Sequence, residues 1–204
     1  MKKINIVSLA LFLISVLFSI QAQDRLSSSN ITYPDEYYYH NGGRVIDVTK
    51  APFNAAGDGV TDDTEAIKAV YNFIADNLRT YNTWGSVLEE YIIYFPEGEY
   101  LVSNTLIYDG DRIDYPNSNA DGLFGMRIVG QSWEKTVIRL KDNATDFDGA
   151  NKYLICYQKP GFGTNIPGRN ELRNITINTG SGNPGATAVY YISANTGVIS
   201  DVSV

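Results

Sequence analysis

From Tyr91 onward the chain is written in short apolar runs broken by polar punctuation. Tyr91 to Phe95, Thr105 to Tyr108, Met126 to Val129, Thr136 to Leu140, Tyr153 to Tyr157, Leu172 to Ile177, Ala186 to Ile192 and Gly197 to Val204 are all rich in β-branched or aromatic residues. Gly, Asn, Asp and Pro separate them, and no helix-length periodic segment intervenes, so each run reads as a strand. An earlier short run, Val45 to Val48, reads the same way, and Asn54 to Val60 reads as a glycine-rich turn. One stretch differs. Ala66, Ile67, Val70, Phe73, Ile74 and Leu78 recur at helical spacing behind Asp62, Asp63, Thr64 and Glu65. That order is a capping box followed by one amphipathic face, and it predicts a helix over residues 62–79. Acidic residues at its start sit at the positive end of the helix dipole. Asp62 and Asp63 could instead be a catalytic pair, but helix capping explains both their position and their spacing.

Many short strands suit either an antiparallel sandwich or a parallel solenoid. Sandwiches favour tight two-residue hairpins, whereas the turns here are irregular and variable in length. Arg173 to Ile177 and Ile199 to Ser203 are related runs about one solenoid coil apart, which decides for the solenoid.

The first 43 residues stand outside that pattern. Lys2 and Lys3 precede an apolar run from Ile4 to Ile20, followed by Gln21, Ala22 and Gln23. This is the layout of a secretory signal peptide over residues 1–22, with cleavage after Ala22, and it predicts a secreted, cell-surface or periplasmic protein. The alternative is an uncleaved anchor, since the run nearly suffices to span a bilayer. After cleavage no membrane association is expected. Residues 23–43 form a polar, aromatic lead-in with Tyr33, Tyr37, Tyr38 and Tyr39 around Pro34; such rings can stack on sugars, but here they are expected to pack the lead-in onto the domain.

Composition narrows the chemistry. The chain has 204 residues, 44% hydrophobic and 19% charged, an ordinary globular balance. A formal net charge of -7 gives no long-range attraction for phosphate backbones, so no nucleic-acid partner is expected. A neutral glycan would be indifferent to that charge, while an acidic one would need a local basic patch or a bridging calcium. One cysteine, Cys156, allows no internal disulfide, and its strand-like setting predicts a buried, inert thiol. With a single histidine, His40, a Cys/His metal centre is excluded.

Asp47 to Val70 carries the most specific signal. Gly57 to Ile67 reads Gly-Asp-Gly-Val-Thr-Asp-Asp-Thr-Glu-Ala-Ile, and this resembles the opening of the pectate-lyase superfamily, including its rhamnogalacturonase- and epimerase-like members. Tyr94 to Ser103, Ile128 to Gln131 and Thr136 to Ile138 resemble its next elements. Leu172 to Ile177 and Gly182 to Ala186 look like exo-β-1,3-glucanase relatives. Over residues 44–204 the resemblance implies an all-β, right-handed parallel β-helix with an N-terminal capping α-helix. The closing strand, Gly197 to Val204, has no turn or capping element, so the fold is expected to be truncated at the C-terminus.

Chemistry is less legible. Glycoside hydrolysis needs two carboxyls flanking the bond, and elimination at a uronate needs a base, with calcium held by carboxylates. Asp109, Asp111 and Asp114, or Asp142, Asp146 and Asp148, are loop carboxylates able to bind calcium, but neither set has the spacing of a defined calcium loop. Gly180 to Gly185 formally matches a dinucleotide fingerprint with Asp201 downstream, yet Pro184 and the strand-like Thr187 to Ile192 mark it as a turn between coils. No cofactor is evident, calcium being the exception if the parent is a lyase. The resemblance places catalytic groups in later coils, so no catalytic residue is assigned. The expected function is an exported polysaccharide-acting enzyme, a glycoside hydrolase or polysaccharide lyase, present here as its N-terminal part. The alternative is a non-catalytic β-helix that binds glycans or mediates adhesion like a tailspike.

Overall fold

The computed structural model describes residues 30–78, 91–107, 126–149, 151–157, 169–193 and 196–204. Residues 1–22, read from sequence as a signal peptide, and Asp109, Asp111 and Asp114 lie outside the described residues. The elements are β1 (Val45–Asp47), β2 (Asp58–Asp62), α1 (Thr64–Leu78), β3 (Ile92–Phe95), β4 (Gly98–Val102) and β5 (Leu106–Ile107). They continue as β6 (Arg127–Gly130), β7 (Thr136–Leu140), β8 (Lys152–Cys156), β9 (Glu171–Asn178), β10 (Ala186–Tyr190) and β11 (Val198–Ser203).

Among the described residues every strand pairing is parallel, and the order defines three faces. The first face stacks β1, β3, β6 and the front of β9; the second stacks β2, β4, β7 and the back of β9; the third stacks β5, β8 and β10. β11 lies along both halves of β9. The sheet therefore curls into successive coils of a parallel β-helix, with β1, β3, β6, β9 and β11 each opening one coil.

Parallel stacking sets like on like, and that builds the core. On the first face the register aligns Ile46, Ile93, Ile128 and Leu172, all essentially inaccessible to water. On the second it aligns Tyr100, Ile138 and Ile177, with Val102 beside Leu140. On the third, Leu106 meets Ile155. Each such side chain contributes about 1.5–3 kcal/mol by leaving water. Ile67, Val70, Tyr71 and Ile74 of α1 join the same core.

The helix starts two residues later than its sequence pattern predicts. Asp62 is the last residue of β2, held level with Leu101 of β4. The carbonyl of Asp63 accepts the first helical bond, from the Ile67 amide at 2.9 Å, so Asp63 is the N-cap residue. Its carboxylate turns back, however, to accept from the amides of Ala56 (2.6 Å) and Gly57 (3.0 Å). Asp62 takes the local role instead, accepting from the Thr64 amide at 3.0 Å and the Thr64 hydroxyl at 2.5 Å. The Thr64 hydroxyl also accepts from the Ser103 amide at 2.8 Å. The paired aspartates thus tie helix, turn and second coil together. Gly57 is required here: its φ is 61° and an added Cβ would lie 3.0 Å from the Tyr100 ring.

β2 falls on the segment read as a turn. Its one large apolar residue, Val60, is 80% exposed, so no alternation marks it; pairing with β4 imposes its extended form. The segment Gly180 to Gly185 is a turn, but it joins β9 to β10 within one coil rather than linking two coils.

The lead-in packs as expected. Tyr38 forms a parallel bridge with Val45, covering the outer edge of β1. The rings of Tyr33 and Tyr38 stand edge-on to Tyr94, at 5.3 and 6.1 Å between centroids, and Tyr39 packs on Phe73 at 4.9 Å. Further back, the Ile31 amide donates to the Gln131 carbonyl at 2.8 Å, and the Tyr94 hydroxyl donates to the Ile31 carbonyl at 2.8 Å.

Candidate functional site: an arginine-rich cleft on the first face

Coil stacking brings Arg127 of β6 level with Glu171 of β9, and Glu171 level with Val198 of β11. Around them opens a cleft of about 350 Å³ lined by Arg127, Arg169, Asn170, Glu171, Thr196 and Val198. That volume lies within the range of small-ligand sites. The lining comes from three consecutive coils, so the cleft runs along the axis of the β-helix. Arg173, two residues along β9, reaches the same carboxylate.

Glu171 is the hinge of the charge arrangement. Its Oε1 lies 3.0 Å from Nη1 of Arg173, and its Oε2 lies 3.8 Å from Nε of Arg127. The Glu171 side chain is 19% exposed, against 32% for Arg127 and 41% for Arg173. Two guanidinium groups flank this carboxylate and Arg169 lines the cleft beside it, so among the described residues here arginines outnumber carboxylates on a chain whose net charge is -7. Guanidinium forks match carboxylate geometry, and a partly enclosed setting strengthens such contacts.

The wall is held by backbone geometry. Arg169 and Thr196 both adopt left-handed conformations, φ 57° and 59°, where non-glycine residues are uncommon. Between them Asn170 is fully buried; its side chain donates to the Ile192 carbonyl at 2.8 Å and accepts from the Met126 amide at 3.0 Å. The Asn170 carbonyl accepts from the Val198 amide at 2.9 Å and the Tyr191 hydroxyl at 2.6 Å. One asparagine therefore fixes the spacing of three coils at the cleft floor. Tyr33 of the lead-in stands close by: burial raises its phenol pKa, Glu171 raises it further, and Arg173 and Arg127 pull the other way.

The residues singled out from sequence lie elsewhere. Asp142 accepts from the Ser181 amide at 2.9 Å and faces Arg139 at 3.8 Å, and Asp146 pairs with Lys152 at 3.0 Å. Asp148 ends the short turn Thr145–Phe147. Among the described residues no three His, Cys, Asp or Glu side chains stand together as a metal ion would require. Cys156 is buried, and that burial pushes its thiol up to about 12. Arg127, Glu171 and Arg173 were legible only as charges inside or beside strand-like runs; the sequence holds no sign that Arg127 and Glu171 would be neighbours.

The chain belongs to the family described as rhamnogalacturonase A/epimerase, pectate lyase-like, which it matches over residues 46–204. It is also similar to a Penicillium expansum protein named non-secreted LysM effector LysM19, 36% identical over 100 residues, 49% of this chain and 6% of that protein. A second protein of that organism, non-secreted LysM effector LysM15, is 36% identical over 85 residues, 38% of this chain and 6% of its own length. This chain thus matches only a small part of either relative. No solved structure matches it. Family membership and the parallel stacking of its coils together define the class as a pectate lyase-like β-helix.

Proposed function

We propose that this chain is an exported, right-handed β-helix, its first coil covered by α1, that engages an acidic polysaccharide through the cleft on its first face. The observation that carries this reading is the pairing of Arg127 and Arg173 with Glu171, at a cleft that Arg169 also lines, on an otherwise acidic protein. It supplies the local basic patch that a uronate-bearing chain requires. Catalysis by the whole protein as a glycoside hydrolase or polysaccharide lyase is part of the proposal.

One observation favours a second reading, a non-catalytic glycan-binding module, for the coils described. Glycoside hydrolysis uses two carboxyls, and among the described residues lining the cleft Glu171 is the one carboxylate.

The test is binding and turnover on polygalacturonate, rhamnogalacturonan and β-1,3-glucan, with and without calcium, for the wild type and for Arg127→Gln with Arg173→Gln. The expected result is preference for the acidic polymers, weakened about tenfold or more by the double substitution, as loss of charge-assisted contacts implies. Equal affinity of wild type and variant, or no affinity for any glycan, would remove the cleft from the function.

A further inference from the structure

We infer that the lead-in segment, Asn30 to Tyr38, is an end-stop that limits glycan occupancy of the first face to the later coils, so the site receives a chain end rather than the interior of a polymer. The inference rests on the glycan reading of the cleft.

It starts from one outward-facing row. Register aligns Asp47, Tyr94, Val129, Arg173 and Ser200 on successive coils of the first face, each displaced by one residue from the inward aliphatic row. Alternation along a strand puts this row on the outside, where side chains would ordinarily meet water. Yet Asp47 is 9%, Tyr94 2% and Val129 3% exposed, whereas the Arg173 side chain is 41% exposed. Along this row the surface is therefore covered on the first three coils and open at the fourth, while on the third coil Arg127, two residues before Val129, stays 32% exposed at the cleft.

The lead-in accounts for that boundary. It leaves the β1 edge at Tyr38, lays the Tyr38 and Tyr33 rings against Tyr94, and reaches the corner of the third coil at Ile31. There the Ile31 amide bonds the Gln131 carbonyl, and Gln131 Nε2 donates to Asn30 Oδ1 at 3.1 Å. Neighbouring coils stand about 4.8 Å apart. A polymer lying along the axis would meet the strap within about one coil of Arg127.

The strap is held mainly by contacts that single substitutions can release. Ile31→Pro removes the amide that donates to Gln131. Tyr33→Ala removes a ring from Tyr94, and Tyr94→Phe removes only the hydroxyl that donates to the Ile31 carbonyl. The experiment is a titration of the full chain with oligogalacturonides from dimer to hexamer, for wild type, Tyr94→Phe, and Ile31→Pro with Tyr33→Ala. In the wild type, affinity should stop rising at about the trisaccharide, given a cleft in the small-ligand range. In the strap variants the hexamer should bind at least about threefold more tightly than the trisaccharide, with Tyr94→Phe showing the smaller gain. Wild-type affinity that climbs steadily to the hexamer, or variants with an unchanged plateau, would overturn the end-stop while leaving the cleft in place. Absence of wild-type binding at every length would overturn the glycan reading, and the end-stop with it.

Discussion

Asn174 and Asp201 occupy the same corner on successive coils, and both adopt the left-handed conformation, with φ of 56° and 54°. The chain turns from first face to second at a single residue there, which is why β9 and β11 each run across both faces. Asn174 also reaches the corner of the coil before it: its Nδ2 donates to the Gln131 carbonyl at 2.7 Å and the Gly130 carbonyl at 3.2 Å, and its Oδ1 accepts from the Trp133 amide at 3.3 Å. A carboxylate at that position could accept but not donate. Asn174→Asp should therefore destabilise the fold by about 1–3 kcal/mol, because both donated bonds are lost and a carboxylate is set against two carbonyl oxygens. Asn174→Gly keeps the backbone freedom and loses these bonds together with the one from the Trp133 amide, so a comparable loss in denaturant unfolding would assign the effect to the side chain. Retention of full stability by both variants would show that the corner is held by the backbone alone.

Two buried tyrosines should respond oppositely to loss of a hydroxyl. Tyr71 on α1 is fully buried, and its hydroxyl has no hydrogen-bond partner among the described residues. Tyr71→Phe should leave stability unchanged or raise it by up to about 1 kcal/mol, because a desolvated, unsatisfied group is removed. The Tyr100 hydroxyl donates to the Pro96 carbonyl at 3.0 Å, so Tyr100→Phe should cost about 1 kcal/mol. Thermal unfolding of the pair decides the matter, and a larger loss for Tyr71→Phe would reverse the assignment.

Acid should loosen the start of the helix. Asp58 is held below its ordinary value of 3.8 by the Thr61 and Val60 amides and the Thr61 hydroxyl. Burial alone would raise Asp62, but hydrogen bonds from Ser103 and Thr64, aided by Lys141, outweigh it and lower its pKa. Both carboxylates are more acidic folded than unfolded, so their stabilisation is complete above about pH 4 and lost as pH falls through the depressed values. The unfolding midpoint should drop below pH 4, and Asp58→Asn with Asp62→Asn should flatten that dependence. An unaltered pH profile in the double variant would place the acid-sensitive groups elsewhere.

The thiol of Cys156 should be silent in the native protein. Burial raises its pKa to about 12, leaving almost no thiolate at neutral pH, and the side chain is 2% exposed. An alkylating reagent at pH 8 should modify the cysteine only after denaturant is added. Rapid native labelling would mean that the third face opens readily around β8.

The sequence by itself determined the local rules of this protein. Short β-rich runs around irregular turns, one helical face behind Asp62 to Glu65, and the glycine-rich motif from Gly57 to Ile67 indicated a parallel solenoid and its family, because strand propensity, capping and left-handed turns are written within a few residues. Tertiary structure decided what adjacency alone can create. β2 exists because β4 offers it an edge, and the Asp63 carboxylate turns from its own helix to the Ala56–Gly57 turn. Arg127 and Glu171 become neighbours only because each coil begins beside the start of the one before. Coil length varies with its loops, so the register that stacks distant charges into one cleft follows from closing the coils, and no local periodicity encodes it.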